Sequence, residues 1–229
     1  MSEALDITIG SDERVLGCGR TGSGKTHLFR RLSRPLPRFV ACDPKGTLKS
    51  WGLEEWGPDA LDRLKKGENV RARAVIDPSA ADPIEAWDAI LHDLYWAGDV
   101  VVYVDEVYAL SPVVNKYPPY LFSIWTRGRE RGVGGWGASQ RPTRIPLFLI
   151  SEADHIFVFT LILEDDRKTI AANTHPALRA EIPRDNPHGF FYFAIDRNEP
   201  FYCPKLESAR GESWGQVFPI SEGDLVQEE

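Results

Sequence analysis

Residues 19–26 read Gly-Arg-Thr-Gly-Ser-Gly-Lys-Thr, the pattern G-x-x-x-x-G-K-[ST] in full. Val15-Leu16-Gly17 precedes it as a short apolar strand, and Thr26 to Leu32 follows it as a helical pattern stopped by Pro35 and Pro37. In a turn of this kind the glycines let consecutive backbone N–H groups curl around an anion. The helix start adds partial positive charge at the same point. A strand, this turn and a helix in that order make a phosphate-binding loop. Gly19, Arg20, Thr21, Gly22, Ser23 and Gly24 would supply the cradle, with His27 just beyond it. Lys25 would reach the β- and γ-phosphates of a nucleoside triphosphate, and the Thr26 hydroxyl would bind Mg²⁺.

The rest of the chain alternates in the same way. Strands are expected at Phe39–Cys42, Ala72–Ile76, Val100–Val104, Gly134–Ser139, Ile156–Leu163 and Phe190–Ile195. Phe201-Tyr202 is a plausible partner for the last of these, across a turn at Asp196-Arg197-Asn198. Helices are expected at Ile84–Tyr95, Pro119–Arg129 and Asp165–Asn173. The first of these places Ile84, Trp87, Ile90, Leu91 and Leu94 on one face. The strands are continuous apolar runs rather than alternating ones, which indicates an α/β fold with a mainly parallel sheet covered on both faces.

Residues 100–106 read Val-Val-Val-Tyr-Val-Asp-Glu, a buried strand ending in two acids. Open α/β sheets bind ligands at the carboxyl ends of their strands. Asp105 is placed there to hold Mg²⁺, and Glu106 to polarise an attacking water. The pair disfavours small GTPases and kinases of simple nucleotides and favours ATPases with a strand-borne glutamate as base.

The chain has 229 residues, 42% of them hydrophobic, enough for one well-packed domain. The expected division is one ATPase domain over 1–229. Its core would span about 12–172, followed by a strand-rich extension over 173–220 and an acidic tail over 221–229. No apolar run approaches the ~18 residues that cross a bilayer, and the first ten residues lack the form of a signal peptide. Cys18, Cys42 and Cys203 are too widely spaced for a zinc pattern and suit a reducing compartment. A net charge of −7 argues against a general nucleic-acid-binding coat but permits a local basic patch.

Residues 127–146 form a third cluster. Gly128-Arg129-Glu130-Arg131-Gly132-Val133-Gly134 leads into a short strand, and Ser139-Gln140-Arg141-Pro142 closes it. With Asp43-Pro44 after the second strand and Asp166–Ile170 later, the chain resembles the FtsK/HerA superfamily of DNA-pumping ATPases over roughly residues 12–172. The resemblance implies a RecA-like P-loop fold of the additional-strand glutamate class. It implies ATP and Mg²⁺ as cofactors and Gln140 as a sensor of the γ-phosphate or water. It further implies Arg129 as an arginine finger acting on a neighbouring copy, with Arg127 and Arg131 as alternatives. The economy of the chain resembles the genome-packaging ATPases of tailless icosahedral viruses with an internal membrane.

That resemblance implies double-stranded DNA as a partner, a ring of five or six copies, and a capsid vertex or viral membrane protein as a docking site. The place would be the host cytoplasm or the virion. Candidate DNA contacts are Lys65, Lys66, Arg71 and Arg73 in the densest basic run, and Lys116 in the Pro-rich loop at 111–119. Two other readings are a filamentous-phage assembly ATPase of the zonula occludens toxin type, and a nucleotide-gated DNA-binding or partitioning module with little turnover.

Overall fold

A computed structural model describes residues 4–5, 7–77, 79–110, 116–182, 186, 188–197, 199–204, 214–216 and 218–219. The acidic tail, the loop at 111–115 and Asn198 of the expected turn lie outside the described residues.

The strands are β1 (Ala4–Leu5), β2 (Val15–Cys18), β3 (Arg38–Cys42), β4 (Glu54–Glu55), β5 (Val70–Ala74), β6 (Val100–Val104), β7 (Val133–Ser139), β8 (His155–Val158), β9 (Phe190–Ala194), β10 (Phe201–Cys203), β11 (Trp214–Gln216) and β12 (Phe218–Pro219). The helices are α1 (Lys25–Ser33), α2 (Pro58–Lys65), α3 (Pro83–Ala97), α4 (Val107–Leu110), α5 (Pro119–Arg127), α6 (Phe148–Ser151) and α7 (Glu164–Asn173). Among the described residues the main sheet runs β12-β10-β9-β8-β2-β7-β6-β3-β5-β4, and β1 pairs separately with β11. From β8 to β4 every pairing is parallel, while β9, β10 and β12 add antiparallel strands at one side.

The valine run of β6 is buried at every position, as a strand covered on both faces requires. One face packs Trp87, Leu91, Leu94, Trp125 and Leu149 from the helices against the sheet. The other packs Leu28, Phe29, Phe39, Tyr103, Trp136 and Phe157. Trp136 is 2% exposed. The α3 helix starts where Asp82 accepts hydrogen bonds from the backbone N–H groups of Ile84 and Glu85, at 2.9 and 3.1 Å.

Three local expectations are corrected and one helix is added. The strand expected at 72–76 is Val70–Ala74, because pairing of Arg38 with Val70 sets its register and buries Val70, Ala72 and Ala74 together. The strand expected at 156–163 stops at Val158, where the chain leaves the ladder to follow the phosphate loop. The α5 helix ends at Arg127, and Gly128–Arg131 is a 3₁₀ turn. The α2 helix was not anticipated; it is only eight residues long, and Ala60 and Leu64 are its buried residues. Among the described residues no helix is long and apolar enough to cross a membrane.

The glycines of β7 have a packing reason. A Cβ at Gly135 would stand 2.8 Å from the Trp125 ring, and one at Gly134 would run into the Ser11 carbonyl oxygen. Only bare backbone lets α5 and the segment before β2 close on this strand. Gly134→Ala is therefore expected to destabilise the protein by about 1–3 kcal/mol, the usual cost of overpacking. Calorimetry should show a Tm lower by several degrees; an unchanged Tm would contradict the packing argument.

Candidate nucleotide site

Parallel pairing brings the carboxyl ends of β2, β7 and β6 to one edge. Cys18 lies opposite Ser139 in β7, and Val104 opposite Gly137. The Gly19 N–H donates to the Ser139 carbonyl at 3.0 Å, and the Arg20 N–H to the Thr160 carbonyl at 2.8 Å. The loop is thus anchored on both sides before it turns into α1. Gly19, Gly22 and Gly24 have φ of 156°, 77° and 113°, the left-handed region that side chains resist. At Gly19 a Cβ would also meet the Cβ of Phe159 at 2.6 Å.

Lys25 is buried, and its ammonium donates to the Gly19 and Arg20 carbonyls at 2.5 and 2.9 Å. Burial pushes its pKa down, and the negative charge of Glu106 opposes that. Ser23 Oγ is also fully buried and lacks a hydrogen-bond partner among the described residues. An unpaired hydroxyl beside a buried ammonium is a costly arrangement for the chain alone. It suits a loop that receives phosphate oxygens. Thr26 and His27 are exposed on the first turn of α1.

The two acids follow directly from β6. The Asp105 N–H donates to the Cys42 carbonyl at 3.0 Å, which fixes the backbone there. Asp105 Oδ1 accepts from the Tyr103 hydroxyl at 2.7 Å and Oδ2 from the Thr47 hydroxyl at 3.2 Å. Burial, then the charge of Asp105, pushes the Tyr103 phenol well above its ordinary pKa, so it stays a donor. Glu106 has φ 72°, one of two non-glycine residues among those described with positive φ. A left-handed glutamate costs roughly 1–2 kcal/mol, and it turns Glu106 away from Asp105 toward β7. There its Oε1 accepts from the Gln140 N–H at 3.2 Å, and its Oε2 lies 3.4 Å from the Lys45 ammonium. The Gln140 side-chain oxygen accepts from the Thr21 hydroxyl at 2.9 Å. Glu106, Gln140 and the phosphate loop therefore form one connected set.

No family model matches this chain. It is 30% identical to the DNA packaging ATPase P9 of Enterobacteria phage PRD1 over an aligned stretch of 170 residues, 69% of this chain and 68% of that protein. The chain belongs to the family of viral DNA-packaging ATPases. The fold agrees: the genome packaging NTPase B204 of Sulfolobus turreted icosahedral virus 2, in complex with ATPγS, superposes with a TM-score of 0.69 at 16% identity, over 85% of this chain and 98% of that one. EssC (ATPases 2 and 3) from Geobacillus thermodenitrificans gives 0.56 at 12% identity, over 80% of this chain and 38% of that one. This packaging ATPase thus shares the P-loop fold of those proteins, with β7 inserted between the phosphate-loop strand β2 and the acidic strand β6.

The basic residues divide. Arg129 lies before β7, at the opposite end of that strand from Gln140, roughly 20 Å away along the strand. It is half exposed and sits 3.1 Å from Asp154 and 3.7 Å from Asp12. Arg131 is committed within the packaging ATPase itself: it donates to the Tyr95 and Trp96 carbonyls at 2.9 and 3.2 Å and lies over the Trp96 ring. Arg127 is exposed and within 3.4 Å of the Ser123 hydroxyl. Arg71 donates to the Ser33 and Leu36 carbonyls at 2.6 and 2.5 Å, and Arg73 pairs with Asp43 at 3.1 Å. Lys65, Lys66 and Lys116 are exposed.

Four residues given no site role by the sequence reading contribute to the site. Thr47 and Lys45 reach the two acids from the loop after β3. Asp43, flagged only as part of Asp43-Pro44, is fully buried and accepts from the Thr47 and Leu48 N–H groups at 2.9 Å each, holding that loop in place. Asp166, 1% exposed, binds Arg141 at 2.9 Å and the Thr143 hydroxyl at 2.7 Å, which secures the chain beyond Gln140. Asp-Pro after a strand was the one available signal.

Lys25→Met should leave the ligand-free protein folded, with a Tm close to wild type, because a desolvated ammonium is exchanged for an apolar chain of similar length. At ATPγS near 100 times its Kd, wild type should gain about 2.7 kcal/mol of stability. The variant should lose that thermal shift, and retention of the full shift would place the phosphates elsewhere.

Proposed function

We propose that the protein hydrolyses ATP with Mg²⁺ to drive double-stranded DNA into a viral particle, working as a ring of copies. The observation that carries this reading is the contact between Glu106 and Gln140 across the ends of β6 and β7, beside the phosphate loop. Likeness to the phage PRD1 DNA packaging ATPase supplies the substrate class.

The donor set fits Mg²⁺. Thr26 offers a hydroxyl and Asp105 a carboxylate, hard oxygens of the kind this ion takes a few at a time beside nucleotide phosphates. Among the described residues there is no cluster of three or more metal-binding side chains, so a transition-metal cage is not what these residues resemble. Mg²⁺, when bound, neutralises charge on the phosphate oxygens.

Each side chain then has a task. The loop N–H groups and Lys25 hold the phosphates, Lys25 exchanging its carbonyl partners for phosphate oxygens. Ser23 gains a partner in the same event. Glu106 accepts the proton of the attacking water, and Gln140 positions that water or reports loss of the γ-phosphate. Arg129 faces away from its own loop and serves the next copy, where a guanidinium offsets charge on the transferring phosphoryl group. Arg127 is the alternative, while Arg131 is held too firmly by the end of α3. Lys65, Lys66 and Lys116 are the candidates for the DNA backbone, which needs charge and no base reading. Arg71 and Arg73 are engaged by their own chain. A capsid vertex or viral membrane protein would dock the ring, in the host cytoplasm or on the virion.

Glu106→Gln keeps the shape but not the basicity. Turnover should fall by about 10²–10⁴-fold while ATP still binds, as single-turnover kinetics would show. Arg129→Ala should bind ATP normally and hydrolyse it some 10³–10⁵-fold more slowly. Mixed with Lys25→Ala subunits, it should recover activity, because each Lys25→Ala copy lends an intact Arg129 to a neighbour with a sound loop. A mixed rate equal to the average of the two parents, with subunit exchange confirmed, would remove Arg129 from the trans role. DNA movement is tested by ATP-dependent displacement of a third strand from duplex DNA. Hydrolysis without displacement would reduce the reading to an ATPase.

A further inference from the structure

On the far side of Lys45 from Glu106 lies a second cleft, of about 430 Å³, at the carboxyl ends of β3 and β5. Lys45, Lys49, Arg73, Gly46, Glu55 and Trp56 line it. Three of these six carry positive charge and one carries negative charge. Arg73 shares its charge with Asp43, but Lys49 is exposed and has no ion-pair partner among the described residues. Lys45 is 44% exposed and touches both sides, with its ammonium 3.4 Å from Glu106 Oε2. The backbone between is fixed: Asp43 caps the turn, Thr47 ties it to Asp105, and Gly46 at φ 68° leaves open space where a side chain would stand.

Both oxygens of Glu106 are engaged in this arrangement, Oε1 by the Gln140 N–H and Oε2 by Lys45. A carboxylate so held has one acceptor site on each oxygen committed to a fixed donor. An anion in the cleft would draw Lys45 toward Lys49 and release Oε2.

We propose that this cleft is a phosphate-oxyanion site, and that its ligand competes with Glu106 for Lys45, so that filling the site switches the base on. Lys45 is a positioning residue in this scheme. The inference rests on the reading of Glu106 as the base. A backbone phosphate of DNA and free inorganic phosphate share the required chemistry. A local site of this kind also gives an acidic protein a place to meet DNA without a basic coat.

The test compares steady-state ATPase rates of the full-length protein with duplex DNA, with inorganic phosphate and with neither. Lys45→Ala should raise kcat without added anion about twofold to fivefold, the range a partly exposed ion pair commands. KM should stay unchanged, and added anion should bring little further gain. Lys45→Arg should restore the low basal rate and the response. Lys49→Ala should raise the anion concentration that gives half-maximal stimulation. If DNA is the ligand, it should also lower the salt dependence of that response by about one phosphate contact. A response to inorganic phosphate alone, weakened by Lys49→Ala, assigns the site to free phosphate; a response to DNA alone assigns it to the nucleic acid backbone. An ATPγS thermal shift equal to wild type shows that each variant is folded and binds nucleotide. A basal rate in Lys45→Ala that is unchanged or lower overturns the proposal. With wild-type DNA-driven strand displacement intact, that result leaves the motor reading standing. An elevated basal rate in a protein that displaces no strand would keep the switch and sink the motor.

Discussion

Trp136 lies opposite Val15 on one side and Tyr103 on the other, in parallel register with both. That double pairing places β7 between the phosphate-loop strand and the acidic strand and brings all three to a common edge. Slipping β7 by one residue would turn its side chains to the opposite faces of the sheet. It would also move Gln140 off Glu106. The register is enforced by packing: Gly134 and Gly135 accept the Ser11 carbonyl and the Trp125 ring, and side chains at either would push them away. Both glycines serve the interior of the strand expected there.

The edge so formed concentrates groups that a protein interior otherwise excludes. Lys25, Asp43, Asp105, Glu106 and Asp166 are all buried. Each acid is stabilised by hydrogen bonds rather than by a tight ion pair with the lysine: Asp43 by two N–H groups and Arg73, Asp105 by two hydroxyls, and Asp166 by Arg141 and Thr143. This leaves Lys25 with only two carbonyls, and Ser23 Oγ with no partner among the described residues. The left-handed backbone of Glu106 adds to the cost. Unpaired groups and strained backbone together are the mark of a site shaped for what it binds.

The apolar surroundings also settle the cysteines. Burial raises the Cys18 thiol well above its usual range and pushes Cys42 up to about 12, so neither carries thiolate at neutral pH. Cys18, next to the phosphate loop, is a small core residue rather than a redox switch.

The phosphate loop was legible because its motif is contiguous. Eight residues carry the turn, the lysine and the hydroxyl, and the flanking strand and helix are the same stretch of chain. The acidic pair was legible because a valine run marks a buried strand and the acids end it. Six of the expected strands fell in place for the same reason, within a few residues at their ends. What sequence could not supply was every relation between separate segments. Whether Arg73 faces DNA or Asp43, and whether Arg131 is a finger or a clasp on α3, depends on pairing partners tens of residues away. Lys45 and Thr47 are ordinary loop residues until parallel pairing of β3 with β6 sets them against Glu106 and Asp105. The sequence by itself determined the chemistry of the loop, since backbone geometry and local helix charge need no distant partner. Tertiary structure alone decided which cations are free to act, because burial and ion pairing are properties of the packed sheet.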